Sequence, residues 1–290
     1  MSFMTKRKLS RRRSCELLGL SRRWLDYSSL RKDGVLADEL RELALRHPRY
    51  GYRRLHALLR RSGRKVNLKR VRRLCVEHGL KLRRKVRRKR RGMSNALPCR
   101  AEYPNHVWAY DFVHDWCENG RKLKFLTVEE EFTRECLAIE VDHRLPASAV
   151  CRTLLRLFRE HGRPRFLRSD NGPEFVARAL VKMLVERGVT CRHIDPGSPW
   201  QNGRNERFNG SFRDECLNLE TFAHRDQARA VSRLYMRHYN QERPHSALGY
   251  RTPAEFAAGW KKDVGFAAGG GVVSPPEDTG EVIPVSSVGH

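Results

Sequence analysis

The chain has 290 residues, and its 59 Lys and Arg residues outnumber its 33 Asp and Glu residues, which gives a formal net charge of +26 at pH 7. A chain of this length can form two or more domains with cores of their own. The excess of positive charge indicates a polyanionic partner, for which nucleic acid is the natural candidate. No apolar run approaches the roughly 18 residues that cross a bilayer, and no secretory signal is visible. We therefore expect an intracellular protein with no membrane partner.

Residues 1–35 are predicted to form a basic helical hairpin. Two short helical pieces are expected within residues 10–29, on either side of Gly19 and Leu20, and Ser21 can cap the second piece. The pattern is a weak helix-turn-helix signal, and a plain helical hairpin explains it about as well.

Residues 36–80 show a stronger pattern of three helices, in which Asn67 can cap the third helix and Gly79 can end it. A turn at Ser62 and Gly63 precedes that third helix. Its outer face carries four basic residues that suit insertion into a DNA groove, namely Lys69, Arg70, Arg72 and Arg73. The alternative is a solvated basic face on a structural bundle. We predict a helix-turn-helix-like DNA-binding domain here.

A dense basic run follows, because nine of the eleven residues at 81–91 are Lys or Arg. Such a run repels itself and does not fold without a counter-charge. We predict a linker over residues 81–102 that lies along phosphates, with contacts from Arg84, Lys85, Arg87 and Arg88. A nuclear import signal has a similar composition.

Residues 103–223 alternate between strand and helix patterns and carry three conspicuous carboxylates. Asp111 lies within an aromatic-rich strand, where a lone acid is out of place unless it has a partner. Asp170 directly follows a short buried strand, and Glu206 lies on the polar stripe of a helix whose apolar face carries Phe208 and Phe212. Three carboxylates can form a site for hard divalent ions such as Mg²⁺ or Mn²⁺. Any one of them taken alone is more often a cap, a turn residue or a solvated charge.

Three segments around these acids resemble the catalytic motifs of DDE transposases and retroviral-type integrases: WAYDF, SDNGPEF and NGRNERFNGSFRDECLN. The chain is most similar to the OrfB transposases of the insertion sequence 3 family of bacterial mobile elements. The resemblance covers residues 10–256 and includes PRYGYRRL, LTVEEEFTRECLAIEV and YNQERPHSALGYRTPAEF.

The resemblance implies a ribonuclease H-like α/β catalytic core preceded by an all-α, helix-turn-helix-type region. It further implies that Asp111 bridges two Mg²⁺ or Mn²⁺ ions while Asp170 and Glu206 each hold one. A water then cuts the element end, and the freed 3′-hydroxyl attacks a second phosphodiester. Asn209 and Arg213 are expected to contact a terminal phosphate. If Glu206 is misassigned, Glu215 on the same predicted helix is the next acid to consider.

The expected partners are double-stranded DNA, both element terminal inverted repeats and target, and further copies of the chain assembled on that DNA. A partner or fusion from an upstream OrfA frame is also expected, in the bacterial cytoplasm at the nucleoid. Two alternatives stay open: a DNA-binding repressor or decayed transposase without catalysis, and a nuclease of the same fold that cuts RNA in hybrids. The sequence departs from the family at Glu129, where a core residue is usual and an ionised carboxylate is costly unless it reaches solvent.

The eight cysteines have no Cys-x-x-Cys spacing, so neither a disulfide framework nor a zinc site is predicted. Residues 224–262 are predicted to form a C-terminal helical extension with a helix at 228–239. His238 and His245 lie in this extension and could touch substrate, although structural roles fit them better. Residues 263–290 are rich in Gly, Pro and Ser and are predicted to be a disordered tail.

Overall fold

The computed structural model describes residues 10–21, 23, 33–82, 100–169, 177–193 and 203–267. The chain divides into two compact units, residues 1–59 with 64–83 and residues 60–63 with 84–290. No helix in the described ranges is long and apolar enough to cross a membrane.

The first unit is helical. Its helices are α1 (Arg11–Leu18), α2 (Gly34–Arg46), α3 (Tyr52–Arg61) and α4 (Leu68–Glu77). Asn67 caps α4 as predicted, because its side-chain oxygen accepts from the Lys69 N–H at 2.8 Å. The three helices expected within residues 36–80 are therefore confirmed. The second helical piece expected near residue 25 lies almost entirely outside the described residues.

A small apolar core holds α2, α3 and α4 together, and its central side chains are Leu40, Leu55, Leu59, Val71 and Leu74. Each of these leucines and the valine is at most 1% exposed. They recur at three- and four-residue steps along their helices, which is the spacing that places side chains on one helical face.

The second unit contains a five-stranded sheet in the order β3-β2-β1-β4-β5. Its strands are β1 (Val107–Trp116), β2 (Lys122–Glu130), β3 (Cys136–Asp142), β4 (Phe166–Ser169) and β5 (Thr190–His193). The first three strands pair antiparallel, while β4 runs parallel to β1 and β5 runs parallel to β4. Three antiparallel strands followed by two parallel ones form the predicted ribonuclease H-like α/β fold.

Helices cover both faces of this sheet. They are α5 (Ala147–His161), α6 (Arg178–Glu186), α7 (Gly203–Glu215), α8 (Arg225–Gln241) and α9 (Pro253–Ala267). One core packs Trp108 and Tyr110 of β1 against α5 and α6. The other packs Phe125 of β2 against α7 and α8. Because helices cover both faces, β1 and β2 are buried along most of their length rather than at alternate positions.

The helix bounds differ slightly from those expected from sequence. The helix predicted at 228–239 is observed as Arg225–Gln241. Helix α9 continues to Ala267, which is inside the segment predicted to be disordered. Residues 83–99 of the predicted linker and residues 268–290 of the predicted tail lie outside the described residues.

Candidate active site

A hydrogen bond joins Asp111 in β1 to Asn209 in α7. The amide nitrogen Nδ2 of Asn209 donates to Asp111 Oδ2 at 2.8 Å, and the backbone N–H of Phe112 donates to the other carboxylate oxygen, Oδ1, at 2.7 Å. The strand places Asp111 on the face that α7 covers, because successive side chains of a strand point to opposite faces and its neighbours Tyr110 and Phe112 point the other way. Asp111 therefore has the partner that its place in an aromatic-rich strand required.

Thr127 fixes the orientation of that amide. It lies directly across from Asp111 in the antiparallel β1–β2 ladder, and its hydroxyl donates to Asn209 Oδ1 at 3.0 Å. With the amide oxygen held by Thr127, the amide nitrogen is directed to Asp111. Neither the role of Thr127 nor this bond was predicted, and the pairing of β1 with β2 is the signal that would have placed the two residues together.

Glu206 lies on the exposed side of α7, as the helical spacing predicted. Phe208 and Phe212 of the same helix are 2% and 0% exposed, whereas Glu206 and Arg213 are exposed. Glu206 is three residues before Asn209, so it lies one helical turn, about 4.5 Å along the axis, from the residue that contacts Asp111. Asp170, the third predicted acid, lies outside the described residues.

The second glutamate of α7, Glu215, forms an ion pair with Arg243. Both of its carboxylate oxygens accept from Arg243, Oε2 from Nε at 2.6 Å and Oε1 from Nη2 at 2.7 Å. The side chains are 10% and 4% exposed, respectively. A two-point carboxylate–guanidinium pair uses the oxygens that a metal ion needs. Of these two glutamates of α7, Glu206 is therefore the one that is exposed at the protein surface.

The donor chemistry near Asp111 fits a divalent ion. Carboxylate oxygens are the ligands that Mg²⁺ and Mn²⁺ prefer, and Asp111 and Glu206 bring them to neighbouring elements. No group of three or more His, Cys, Asp or Glu side chains that could hold a metal occurs within the part of the chain that the structure describes, and Asp170 does not belong to that part.

Glu129 is buried, at 3% exposure, and its Oε2 has no hydrogen-bond partner among the described residues. Burial raises its pKa to about 8, an effect that Arg134 opposes and that the neighbouring carboxylates of Glu131 and Glu130 reinforce. The cost expected for an ionised carboxylate at this position is therefore avoided by protonation.

The matches to known proteins agree with this geometry. Residues 101–199 and 187–253 match the family described as Integrase core domain, and residues 31–90 match the one described as HTH-like domain. The chain is 48% identical over 257 residues to an uncharacterized 31.7 kDa protein of insertion element IS407 from Burkholderia multivorans, covering 86% of this chain and 91% of that protein. It is 31% identical over 220 residues to the putative transposase InsK of insertion sequence element IS150 from Escherichia coli K12, covering 72% and 77%.

The chain belongs to the OrfB transposases of the insertion sequence 3 family. It is also similar to the solved HTLV-2 integrase catalytic core in complex with magnesium, at 18% identity, a TM-score of 0.42, and coverage of 55% of this chain and 99% of that one.

In the helical unit of this family member, the four predicted DNA contacts fall into two groups. Arg70 and Arg73 both form ion pairs with Asp33, just before α2, and Arg73 also pairs with Glu77. The hydrogen bond from Arg73, together with the contribution of Arg70, lowers the pKa of Asp33. These two arginines join α4 to α2.

The other two predicted DNA contacts, Lys69 and Arg72, have different surroundings. Lys69 and Arg72 are exposed, and the Arg72 guanidinium lies 6.0 Å from the centroid of the Tyr52 ring. The remaining predicted contacts, Arg84, Lys85, Arg87 and Arg88, lie outside the described residues.

The two histidines of the C-terminal extension have structural partners. His238 Nδ1 lies 3.1 Å from Glu242 Oε2, one turn further along α8. His245 is 8% exposed, lies 3.1 Å from Arg243 and packs edge-on against the Tyr239 ring. Both contacts agree with the structural interpretation favoured from sequence.

Proposed function

We propose that this chain cuts and joins DNA strands at the ends of an insertion element, using divalent ions held by Asp111, Asp170 and Glu206. The observation that carries the proposal is the 2.8 Å hydrogen bond from Asn209 to Asp111. That bond holds the helix of Glu206 against the strand of Asp111, which supports assigning the two carboxylates to one site although 94 residues separate them in the sequence.

The three acids share one role in this proposal. Asp111, whose carboxylate is oriented by two hydrogen bonds, would hold metal together with Asp170 and Glu206. Bound Mg²⁺ or Mn²⁺ would supply Lewis-acid activation of the attacking oxygen and neutralise charge on the leaving oxygen. The two hydrogen bonds hold the oxygens of Asp111 in place before substrate arrives, which lowers the cost of reorganisation during the reaction.

The reaction has two displacements at phosphorus. A water oxygen first attacks the phosphodiester at the element end, forming a new P–O bond, and the strand leaves as a 3′-hydroxyl that takes a proton. That hydroxyl then attacks a second phosphodiester and loses its proton. The new P–O bond joins the strands, while the P–O3′ bond of the attacked strand breaks and its 3′-oxygen leaves as a hydroxyl that takes up a proton. The number of phosphodiester bonds is unchanged in the second step, so no further energy source is required.

Arg213 is positioned to hold a DNA phosphate beside this site. Its Nη2 donates to the carbonyl oxygen of His114 in β1 at 2.7 Å, which leaves other N–H donors of the exposed guanidinium for a ligand. Asn209 supports Asp111 directly, and we assign it this orienting role in addition to the phosphate contact expected from sequence.

The helical unit is proposed to recognise the terminal inverted repeats, with Lys69 and Arg72 facing the duplex and the basic segment of residues 81–91 contacting phosphates. The catalytic unit then acts on element ends and on target DNA in an assembly of several copies at the bacterial nucleoid. An upstream OrfA partner or fusion completes the proposed assembly.

A second candidate, a decayed transposase that binds DNA without cutting it, is favoured by one observation. Glu129 places a carboxyl with an unpartnered oxygen in the core where the family has an apolar residue. Such a defect lowers the stability of the fold and leaves Asp111, Asp170 and Glu206 unchanged in the sequence.

The two candidates are separated by Glu206→Gln, which keeps the side-chain shape and removes the charge. Strand cleavage and joining of element-end DNA with Mg²⁺ or Mn²⁺ should fall by at least about 100-fold, while DNA affinity stays close to wild type. The matched control is Glu220→Gln, an exposed glutamate past the end of α7, which should leave both measurements unchanged.

Three outcomes have distinct meanings. Cleavage that disappears only in Glu206→Gln supports the proposal. Wild-type protein that binds element ends and never cuts them, with or without an OrfA fusion, supports the decayed transposase. Cleavage that survives Glu206→Gln shows that the catalytic acid has been misassigned.

A further inference from the structure

Glu131 forms part of a buried ionic cluster that has no part in the proposed reaction. It follows β2 directly, its side chain is 1% exposed, and its Oε1 accepts from Arg168 Nη1 at 2.7 Å. Its other oxygen, Oε2, lies 3.5 Å from Arg204 Nη1, and that same nitrogen donates to the Glu131 carbonyl oxygen at 3.2 Å.

The cluster joins β1, the end of β4 and the first turn of α7, which are the elements that carry or adjoin the proposed metal ligands. Arg168 is in β4, and the strand ends at Ser169, the residue immediately before Asp170. Arg204 is in the first turn of α7, two residues before Glu206. The backbone N–H of Glu131 donates to the carbonyl oxygen of Val107 at 3.0 Å, and Val107 begins β1, the strand of Asp111.

Stability alone is a poor explanation for such a cluster. Removing a carboxylate and a guanidinium from water costs about as much as their attraction returns, and well-packed apolar side chains of similar size often stabilise a core as well or better. Burial raises the pKa of Glu131, and Arg168 and Arg204 oppose that shift. What the ion pairs provide, and apolar contacts do not, is a fixed direction and distance between the groups.

We propose that Glu131 is a positioning residue that sets the placement of the first turn of α7, with Glu206, and of the end of β4 relative to β1, the strand of Asp111, by holding Arg168 and Arg204 to the start of β1. It contacts neither DNA nor metal in this role. The inference rests on the proposed function, because it assigns Glu131 to the same three-carboxylate site.

The test compares Glu131→Gln with Glu215→Gln in the full chain. Each variant removes the charge from a buried glutamate paired with an arginine, and Glu215 lies at the far end of α7 from Glu206. Binding of Mn²⁺ is measured directly by electron paramagnetic resonance titration, alongside the Mn²⁺ dependence of end cleavage, DNA affinity and thermal unfolding.

Glu131→Gln should weaken Mn²⁺ binding about 10-fold, the lower end of what loss of a supporting interaction around a metal site costs, and shift the Mn²⁺ dependence of cleavage equally. DNA affinity should be unchanged. Glu215→Gln should lower the unfolding temperature without changing Mn²⁺ affinity. If Glu131→Gln does not fold, Arg204→Gln removes only the link to α7 at a side chain that is 28% exposed, and the same direction of change is expected.

Equal Mn²⁺ affinity in wild type and a folded Glu131→Gln or Arg204→Gln variant overturns this inference, and so does an equal loss in Glu215→Gln. Wild-type protein that neither binds Mn²⁺ nor cuts DNA overturns the proposed function instead. The two failures are therefore distinguishable.

Discussion

The side chain of Asn209 donates a 2.8 Å hydrogen bond to the carboxylate of Asp111, across 98 positions of sequence. This one bond joins the middle of β1 to the middle of α7. It orients one proposed metal ligand and places the helix of another beside it, so it is the contact on which the proposed active site depends most directly.

Asn209→Leu should therefore reduce end cleavage about 10- to 100-fold, because ligands whose supporting hydrogen bonds are removed lose affinity or activity on that scale. The matched control is Asn240→Leu. Asn240 also bridges a helix to a strand, with bonds of 2.9 and 2.8 Å to the backbone of Cys136, but it does not contact a proposed ligand. A loss of cleavage that is equal in both folded variants would contradict a specific role for Asn209.

Glu129→Gln should make stability less dependent on pH. The carboxyl titrates near 4.5 when unfolded and near 8 in the folded protein, so the folded state favours the protonated form. The contribution of this carboxyl to stability is fully present below about pH 4.5. It is lost as the pH rises to about 8, and the free energy of unfolding falls by several kcal/mol over that range, because each pKa unit is worth about 1.4 kcal/mol. Urea denaturation of both proteins between pH 5 and 9 should show that the free energy of unfolding falls less in the variant than in wild type as the pH rises.

Glu129→Val should be more stable than wild type at pH 8, because it restores an apolar side chain and removes the unpartnered Oε2. A parallel pH dependence in wild type and Glu129→Gln would show that this carboxyl reaches solvent or a partner in solution.

Lys69→Gln and Arg72→Gln should each weaken binding to element-end DNA and reduce the slope of log affinity against log salt by about 1, as expected for one lost phosphate contact. Arg73→Gln should instead lower the melting temperature of the helical unit, because Arg73 pairs with Asp33 and Glu77. Binding is measured by fluorescence anisotropy at several salt concentrations. A larger change of slope in Arg73→Gln than in Arg72→Gln would reverse these assignments.

Arg243→Leu should destabilise the catalytic unit by about 3–5 kcal/mol, because it leaves the carboxylate of Glu215 buried without its partner. The comparison is Arg156→Leu, whose pair with Glu140 is 41% exposed on both sides and should cost about 1 kcal/mol or less. Denaturant unfolding measures both. Equal losses would indicate that solvent reaches the Arg243 pair.

Much of this molecule is determined locally by its sequence. Helices α2, α3 and α4 follow from apolar residues at helical spacing and from the Asn67 cap, and the succession of strands and helices along residues 103–223 follows from the pattern of apolar runs. The exposed position of Glu206 follows from the 3.6-residue period that buries Phe208 and Phe212. These features depend on neighbours within a few residues, and such patterns are visible in a single chain.

Contacts between distant segments were decided only by the tertiary structure. Arg70 and Arg73 look equivalent to Lys69 and Arg72 in the sequence. Only the packing of α2 against α4 brings Arg70 and Arg73 into ion pairs with Asp33. Packing of distant segments likewise brings Glu215 to Arg243. It also brings Glu131 to Arg168 and Arg204. Helical or strand period fixes the face on which a charge lies, but only chain packing determines which opposite charge it meets and how much water is excluded around the pair.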